Sequence, residues 1–339
     1  MIDSLLKKDL LPDFVIRAGI RRLLRQRLND EARNYADPAY EKKLLDGFRS
    51  SPIALNTAEA NEQHYEVPTE FYQYCLGPHL KYSGCFWKPG TDELAQAEKD
   101  MLELTCERAQ LQDGQDVLEL GCGWGSLSLF MSAKFPGSRF TVVSNSRTQK
   151  QHIDAQANER GIKNLEVVTA DMNVFDTQKR FDRVVSVEMF EHMRNHERLL
   201  EKVNGWLKPG GKLFVHIFVH KTYTYLFEVK DESDWMSKYF FTGGMMPGDH
   251  YLYRFDEHLQ VKAHWPVNGV HYAKTAEAWL QNMDANRKAI MPLFEKTYGK
   301  DQAKKWWAYW RVFYMACAEL WGFRKGEEWF VSHYLLEKR

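Results

Sequence analysis

Several things are scarce in this sequence, and each scarcity narrows the reading. Cysteine occurs at only five positions, Cys75, Cys85, Cys106, Cys122 and Cys317. They are scattered, odd in number and contain no CxxC pair, which argues against a disulfide framework and a zinc knuckle. No sign of charge is in excess: Lys+Arg and Asp+Glu stand at 46 each, so no net field favours nucleic acid. No apolar run approaches the roughly 18 residues of a membrane span. The opening "MIDSLLKKDLLPDF" shows neither a continuous apolar core nor a small-residue cleavage site. Internal repeats and low-complexity segments are also missing. The expectation is a soluble cytoplasmic protein. What the chain does have is bulk, with 44% hydrophobic residues, 14% aromatics and eleven tryptophans. That is ample for a packed core, and most of the tryptophans belong in it. At 339 residues it holds one large domain or two small ones.

"FVIRAGIRRLLRQRL", Phe14 to Leu28, is apolar at helical spacing with five arginines between. A basic amphipathic helix of this kind lies on an anionic membrane surface, or packs on its own domain or a partner subunit. "DEARN" ends it, and a polar linker is expected to about Asn61. From Gln115 the pattern becomes regular. "QDVLEL", "RFTVVS", "NLEVVTAD", "FDRVVSV" and "KLFVHIFVH" read as strands. Between them run helices, among them "SRTQKQHIDAQANERG", capped by Ser146 and ended by Gly161, and "HERLLEKVNGWL". Pro209-Gly210 sits where a type II turn wants it. Strands alternating with helices imply βαβ units, and continuous apolar strands imply a parallel sheet covered on both faces. The alternation fails after His220. Residues 221 to 322 are rich in aromatics and then helical, as expected of an inserted lid, and "EEWFVSHYLLEK" supplies a final strand. The organisation predicted is a helical segment over 1–60, a core over 61–220, the lid over 221–322 and the closing strand over 323–339.

"VLELGCGWGS" is strand, tight glycine turn and helix start. Gly121, Gly123 and Gly125 let the backbone approach a ligand closely. The spacing is GxGxG, not the GxGxxG that seats a pyrophosphate, and Trp124 fills the room a pyrophosphate would need. Glu119 would repel phosphate and suits a cation. S-adenosylmethionine, with an ammonium, a sulfonium and no phosphate, has the matching sign. At the end of strand two, Asn145 and Gln149 offer hydrogen bonds to a ribose, or else serve as a helix cap and a surface glutamine. At the end of strand three, Asp171 faces an adenine amino group with Met172 against the ring, or is a plain turn aspartate.

"HYEVPTEFY", "LKYSGCFW", "LELGCGWGS", "SNSRTQ", "VEMFEHM", "FVHIFVHKTYTYLFE" and "DWMSKYFFTGGMMP" together resemble the coclaurine N-methyltransferase group. That group lies within the wider family of cyclopropane-fatty-acid synthases and mycolic-acid methyltransferases, and the likeness runs from about residue 10 onward. It implies a Rossmann-like class I methyltransferase fold of the α/β class. A mostly parallel seven-stranded sheet would carry N-terminal helices and the inserted helical, aromatic lid. It implies S-adenosylmethionine as cofactor. Tyr82 and Ser83 would contact its methionine end, Gly121, Gly123 and Trp124 would line it, and Ser144 and Gln149 would sit at the ribose. Glu188, Glu191 and His192 of "EMFEH" would be catalytic or hold the substrate amine, and a homodimer is expected.

Two departures discriminate within the family. Cyclopropane synthases carry a cysteine that helps hold a bicarbonate base where this chain has Gly84, and a glycine where it has Glu188. Against that, Glu191, His216 and Tyr272 match positions that cup bicarbonate in those synthases. Methyl transfer from sulfonium is an in-line displacement that needs a free lone pair. A carboxylate–histidine pair at the mouth of strand four would take the proton of a protonated amine. Substrate contacts are expected from His216, Tyr239, Phe240, Phe241 and Tyr272, because aromatic rings exclude water and stack on cations. His196 is expected on the surface. His216 and His220 share a strand face, but no carboxylate or cysteine pattern completes a metal site, and no metal is expected. The leading function is therefore methylation of the amine nitrogen of a small aromatic or alkaloid-like molecule. The alternatives are C-methylation or cyclopropanation of an unsaturated acyl phospholipid, with membrane contact through the basic helix, and S-methylation of a small thiol. Nucleic-acid methylation fits poorly, since no Asn-Pro-Pro-Tyr tetrad follows strand four.

Overall fold

Strands buried on both faces form the centre of the molecule, in the order that the alternation after Gln115 implies. β1 (Asp116–Leu120), β2 (Arg139–Ser144), β3 (Leu165–Thr169), β4 (Phe181–Val187) and β5 (Leu207–His220) run parallel in spatial order β3-β2-β1-β4-β5. β7 (Trp329–Lys338) lies antiparallel beside β5, and β6 (Leu259–Val267) completes the seven-stranded sheet at its edge. This computed structural model describes residues 6–7, 9–55, 67–228, 235–240 and 243–338.

The helices that matter to the site are α1 (Asp13–Asn34), α2 (Tyr40–Arg49), α3 (Thr69–Cys75), α4 (Leu94–Arg108), α5 (Ser126–Lys134), α6 (Arg147–Glu159), α7 (His196–Trp206), α8 (Val270–Ala285), α9 (Arg287–Tyr298) and α10 (Lys300–Gly322). α6 starts where Ser146 accepts a hydrogen bond from the Gln149 amide, and Gly161 at φ 67° closes it. Trp87, Trp124, Trp206, Trp279, Trp307, Trp310, Trp321 and Trp329 are buried. Among the described residues no helix is long and apolar enough to cross a membrane.

Three expectations about organisation are corrected. The lid is not one insertion over 221–322, because β6 inside it pairs with β7. "LQVKAHWPV" hides as a strand because polar residues interrupt it and Pro266 removes a ladder donor, which an edge strand tolerates. α1 ends with "DEARN" at Asn34 as expected, but the polar linker to Asn61 is partly helical: α2 buries Leu45 and Phe48, three apart on one face. The Pro209-Gly210 turn does not separate elements. Gly210 takes φ 73°, and the turn is absorbed as an irregularity of β5, whose pairing jumps from Leu207 to Lys212.

α1 packs on its own domain. Ile16, Ile20, Leu24 and Leu28, four apart along one stripe, rest on the large aromatic cluster built from α3, α8, α9 and α10. Arg17 reaches both carboxylate oxygens of Glu277 at 2.5 and 2.8 Å, Arg21 meets Glu319 at 2.8 Å, and Asp13 pairs with Arg311 at 2.9 Å. Exposed pairs of this kind contribute about 0–1 kcal/mol each, so the apolar stripe provides most of the docking energy.

Candidate active site

The carboxyl ends of β1, β2, β3 and β4 meet at one cavity of about 1410 Å³, where open α/β sheets place their ligands. Small-molecule pockets usually measure roughly 300–1000 Å³, so this one has room for two ligands side by side. The glycine turn after β1 makes the approach. Gly121 (φ 79°) and Gly125 (φ 81°) are hemmed in: a Cβ would come within 2.6 Å of Met189 and of Ile153 respectively. Gly123 (φ 51°) has nothing within 4 Å of its Cβ direction and lines the cavity. Glu119 lies buried in β1 and accepts the Ser128 hydroxyl proton; burial raises its carboxyl to about 7. A cation entering the cleft would draw it to the charged form.

The remaining residues expected at the cofactor also line this cavity: Tyr82, Ser83, Trp124, Ser144, Asn145, Gln149, Asp171 and Met172. Trp124 is buried against Tyr72 at 5.3 Å between ring centroids. Gln149 is not a surface residue. It is buried, with its Oε1 accepting the Ser144 hydroxyl at 2.6 Å. Asn145 is exposed at the rim. Asp171 is half-buried and accepts the Asn173 amide at 2.7 Å, so it makes its own turn while lining the cavity. No basic residue stands on the turn from Gly121 to Ser126. The acidic, phosphate-averse lining and the open side of Gly123 fit S-adenosylmethionine.

Across the cleft, β4 is followed by Glu188, a non-glycine residue at φ 47°. A left-handed residue costs about 1–2 kcal/mol. Its contacts over-determine it: the backbone amide donates to the His216 carbonyl at 2.8 Å. Its Oε1 accepts from the Gly84 amide at 2.9 Å and from His216 Nε2 at 3.2 Å, and its Oε2 accepts from the Tyr272 hydroxyl at 2.7 Å. Tyr272 is itself fixed by stacking on Trp321 at 4.8 Å and 4°. Lys81, also buried, donates to the Ser83 hydroxyl and, at 2.6 Å, to the Gly84 carbonyl, holding the loop whose amide reaches Glu188.

Glu191, on the 3₁₀ turn Phe190–His192, is only 1% exposed and lines the same cavity, yet neither of its oxygens has a hydrogen-bond partner among the described residues. Burial pushes both carboxyls up, and Glu191 further, because the charge of Glu188 adds to its desolvation. Lys81 and the donors on Glu188 oppose the rise there. The two environments differ: donors anchor the Glu188 carboxyl, and none among the described residues reaches that of Glu191. His192 is half-buried and lines the cavity beside them.

Other expectations come apart. Tyr239 and Tyr272 line the cavity, but Phe240 is fully buried and stacked on Phe313 at 4.4 Å, so it is core and does not face substrate. Phe241 lies outside the described residues. His216 is completely buried behind Glu188 and is absent from the cavity wall. His196 is not on the surface: its Nε2 donates to the Phe190 carbonyl at 2.8 Å and its Nδ1 accepts from Tyr251 at 2.8 Å. His216 and His220 turn to separate partners, His333 for the first and the amides of Thr222 and Tyr223 for the second.

Sequence reasoning missed Lys81, Arg108 and His333. It also missed that α1 walls the cavity through Ile20, Leu24, Arg27 and Glu31. The one local signal was the "VSH" of the last strand, which falls in antiparallel register on the "HIF" of β5.

The chain is similar to proteins of known activity along its whole length. The family model for mycolic acid cyclopropane synthetase matches residues 54–327. An (S)-coclaurine N-methyltransferase of Thalictrum flavum subsp. glaucum is 39% identical over 352 residues, covering 100% of this chain and 96% of the relative. A crystal structure of coclaurine N-methyltransferase bound to N-methylheliamine and SAH superposes with a TM-score of 0.94 at 37% identity, covering 99% of each chain. The cyclopropane synthase MmaA2 from Mycobacterium tuberculosis shares the fold, with a TM-score of 0.69 at 20% identity over 83% of this chain and 98% of that one.

Proposed function

The chain belongs to the mycolic acid cyclopropane synthetase family, and from that premise we propose that it is an S-adenosylmethionine-dependent N-methyltransferase of a small aromatic or alkaloid-like amine. The observation that carries this reading is Glu191, a buried carboxyl without a hydrogen-bond partner among the described residues, facing a cavity large enough for cofactor and acceptor together.

Bound S-adenosylmethionine supplies an electrophilic methyl group on a sulfonium. Everything else falls to the chain's residues. A secondary amine enters as its ammonium, whose positive charge draws the Glu191 proton off to water, and the N–H then faces the Glu191 carboxylate. In this dry site, charge separation costs more than in water, so the proton passes to Glu191 and the nitrogen lone pair is freed. The freed lone pair, held beside Glu191, would take the methyl as its bond to sulfur breaks, and the product would leave as a tertiary ammonium. Glu191 later returns its proton to water. Glu188 stays ionised throughout, held by Gly84, His216 and Tyr272, and faces the positive charge that persists on nitrogen. Tyr239, Tyr272, Trp279, Phe313 and Trp321 line the cavity with rings that exclude water and suit a cationic, planar acceptor.

The cyclopropanation reading asks for a free bicarbonate as base. Donors suited to such an anion, the Gly84 amide, His216 and Tyr272, are here taken by the chain's own Glu188 carboxylate. That favours the amine. The test is methyl transfer from isotopically labelled S-adenosylmethionine to arylethyl and tetrahydroisoquinoline amines, to unsaturated phospholipid with and without bicarbonate, and to small thiols. Label on amine that is lost in Glu191→Gln is the expected result; label on lipid that needs bicarbonate, or on thiols alone, refutes it.

A cytoplasmic homodimer is part of the same proposal. Leu10, Phe14 and Leu23 leave apolar surface exposed at and beside α1. Light scattering should return about 80 kDa, twice the 39.9 kDa chain, and a mass near one chain overturns the dimer.

A further inference from the structure

Behind Glu188 lies a row of buried groups for which methyl transfer itself has no use. His216 on β5 and His333 on β7 stand directly opposite each other across the antiparallel ladder, and both are completely buried. His216 Nδ1 is 2.9 Å from His333 Nε2. His333 Nδ1 is 2.8 Å from a guanidinium nitrogen of Arg108, the last residue of α4. The same guanidinium lies 5.2 Å over the ring of Trp265, the β6 neighbour of His333 in register. At the other end, His216 Nε2 meets Glu188 Oε1 at 3.2 Å. One continuous chain thus runs from an arginine through two imidazoles to the carboxylate at the mouth of β4.

Its direction follows from the inventory of donors and acceptors. Burial holds both imidazoles well below their ordinary range, so each is neutral and carries one ring proton. A guanidinium donates and cannot accept. Arg108 must therefore give a hydrogen bond to His333 Nδ1, which leaves the His333 proton on Nε2. That proton points at His216 Nδ1, which leaves the His216 proton on Nε2, facing Glu188. The reverse order would set two N–H groups against each other at Arg108 and a lone pair against the carboxylate. Glu188 Oε1 then accepts from both the His216 ring and the Gly84 amide, and donors gathered on a carboxylate favour its ionised form.

We propose that Arg108 and His333 are positioning residues that act through His216 to keep Glu188 ionised, leaving Glu191 as the only carboxyl of the pair that takes the acceptor's proton. The proposal rests on the amine-methylation reading of the site. A half-buried arginine beside two fully buried histidines costs more than the apolar side chains that would fill the same space, so packing alone does not account for them. The other groups facing Glu188 are Glu191 and His192 from its own turn, Lys81 and Cys85 from the loop before α4, Tyr272 from α8 and Cys317 from α10. Of these Lys81 is the other fixed cation, and it serves the Gly84 side of the carboxylate. Arg108 serves the His216 side.

The experiment has two arms on the full chain. Nitrogen-15 NMR of the imidazoles in the wild type should show His216 and His333 both neutral with the proton on Nε2, each assigned by the loss of its own signal in His216→Gln and His333→Gln. An Nδ1–H tautomer or a charged ring at either position in the wild type overturns the relay. The second arm is the pH profile of kcat/KM for amine methylation. In Arg108→Met the acid limb should move up by about one pH unit and kcat at neutral pH should fall about tenfold, with KM for S-adenosylmethionine unchanged. Arg108→Lys, which keeps a donor-only cation, should recover most of the loss. An Arg108→Met profile that superposes on the wild type overturns the proposal. So does a loss in which kcat and KM for the cofactor move together and Lys gives no rescue. A wild type that methylates no amine counts against the amine reading alone, because the tautomers are measured without substrate.

Discussion

Replacing Glu191 should separate function from stability, with opposite signs. The carboxyl is 1% exposed and has no hydrogen-bond partner among the described residues, so the folded protein carries a desolvation cost that none of them repays. An unsatisfied buried polar group costs about 1–3 kcal/mol. Glu191→Leu, close in volume and apolar, should therefore stabilise the ligand-free protein by roughly that amount, an upward shift of a few degrees in Tm. Because burial raises this carboxyl in the folded state, the native form holds its proton more tightly than the unfolded chain does. The Glu191 contribution to stability is thus lost as pH rises from the ordinary carboxylate value towards the folded one, and the advantage of the variant should grow over that window and then level off. Catalysis should move the other way. Without a base the enzyme must capture the neutral amine from solution. An amine titrating near the lysine value of about 10.4 is neutral to about one part in 10³ at pH 7.4. Glu191→Gln should accordingly lose about 10²–10³ in kcat/KM there, within the usual range for a general base. The deficit should narrow about tenfold for each pH unit towards the pKa of the amine. Paired melts and labelled-methyl assays from pH 6 to 9 check both halves. A Glu191→Leu protein that melts well below the wild type, or a Glu191→Gln enzyme with a constant deficit across pH, would refute the reasoning.

The anchored partner should behave differently. Glu188→Ala leaves the Gly84 amide, His216 and Tyr272 around an emptied anion site, so activity should fall at least a hundredfold and recover in part with millimolar formate or bicarbonate, while the wild type ignores both. No rescue by either anion would mean the donors collapse without Glu188. The two tested glycines of the turn should part company. Gly121→Ala drives a Cβ to 2.6 Å from Met189 and should cost several kcal/mol of stability. Gly123→Ala meets only the cavity, should cost about 1 kcal/mol for its φ, and should instead weaken S-adenosylhomocysteine binding by calorimetry. Equal destabilisation with unchanged binding would remove Gly123 from the cofactor site. Burial holds His196 and His220 neutral with pKa values near 4. The unfolded chain therefore takes up protons that the native state refuses, and stability should fall as pH drops from about 6.5 to about 4, by up to about 3 kcal/mol per histidine. Urea midpoints across that range check it, and His196→Phe should flatten part of the slope.

The parallel half of the fold was legible because each strand is a short apolar run bounded by its own punctuation. "RFTVVS" and "FDRVVSV" match β2 and β4 residue for residue, and Ser146 and Gly161 mark the ends of α6 by local capping chemistry. β6 escaped, because an edge strand buries one face and tolerates Pro266, leaving no continuous run to see. The 3₁₀ turn after β4 was visible as "EMFEH", but the division of labour between its two glutamates was not. Their side chains are three residues apart and chemically identical, and only the donors around them differ.

Chain order by itself determined the sheet of βαβ units, the glycine turn that bares a backbone to a ligand and the acidic group beside it, since each depends on neighbours within a few residues. The tertiary structure alone decided that the N-terminal helix walls the cavity, that Phe240 belongs to the core, and that His333 and Arg108 stand behind Glu188 at 117 and 225 residues' separation along the row. Those choices depend on burial and on which donor faces which acceptor. Such quantities belong to surfaces brought together by packing, so no window along the sequence contains them.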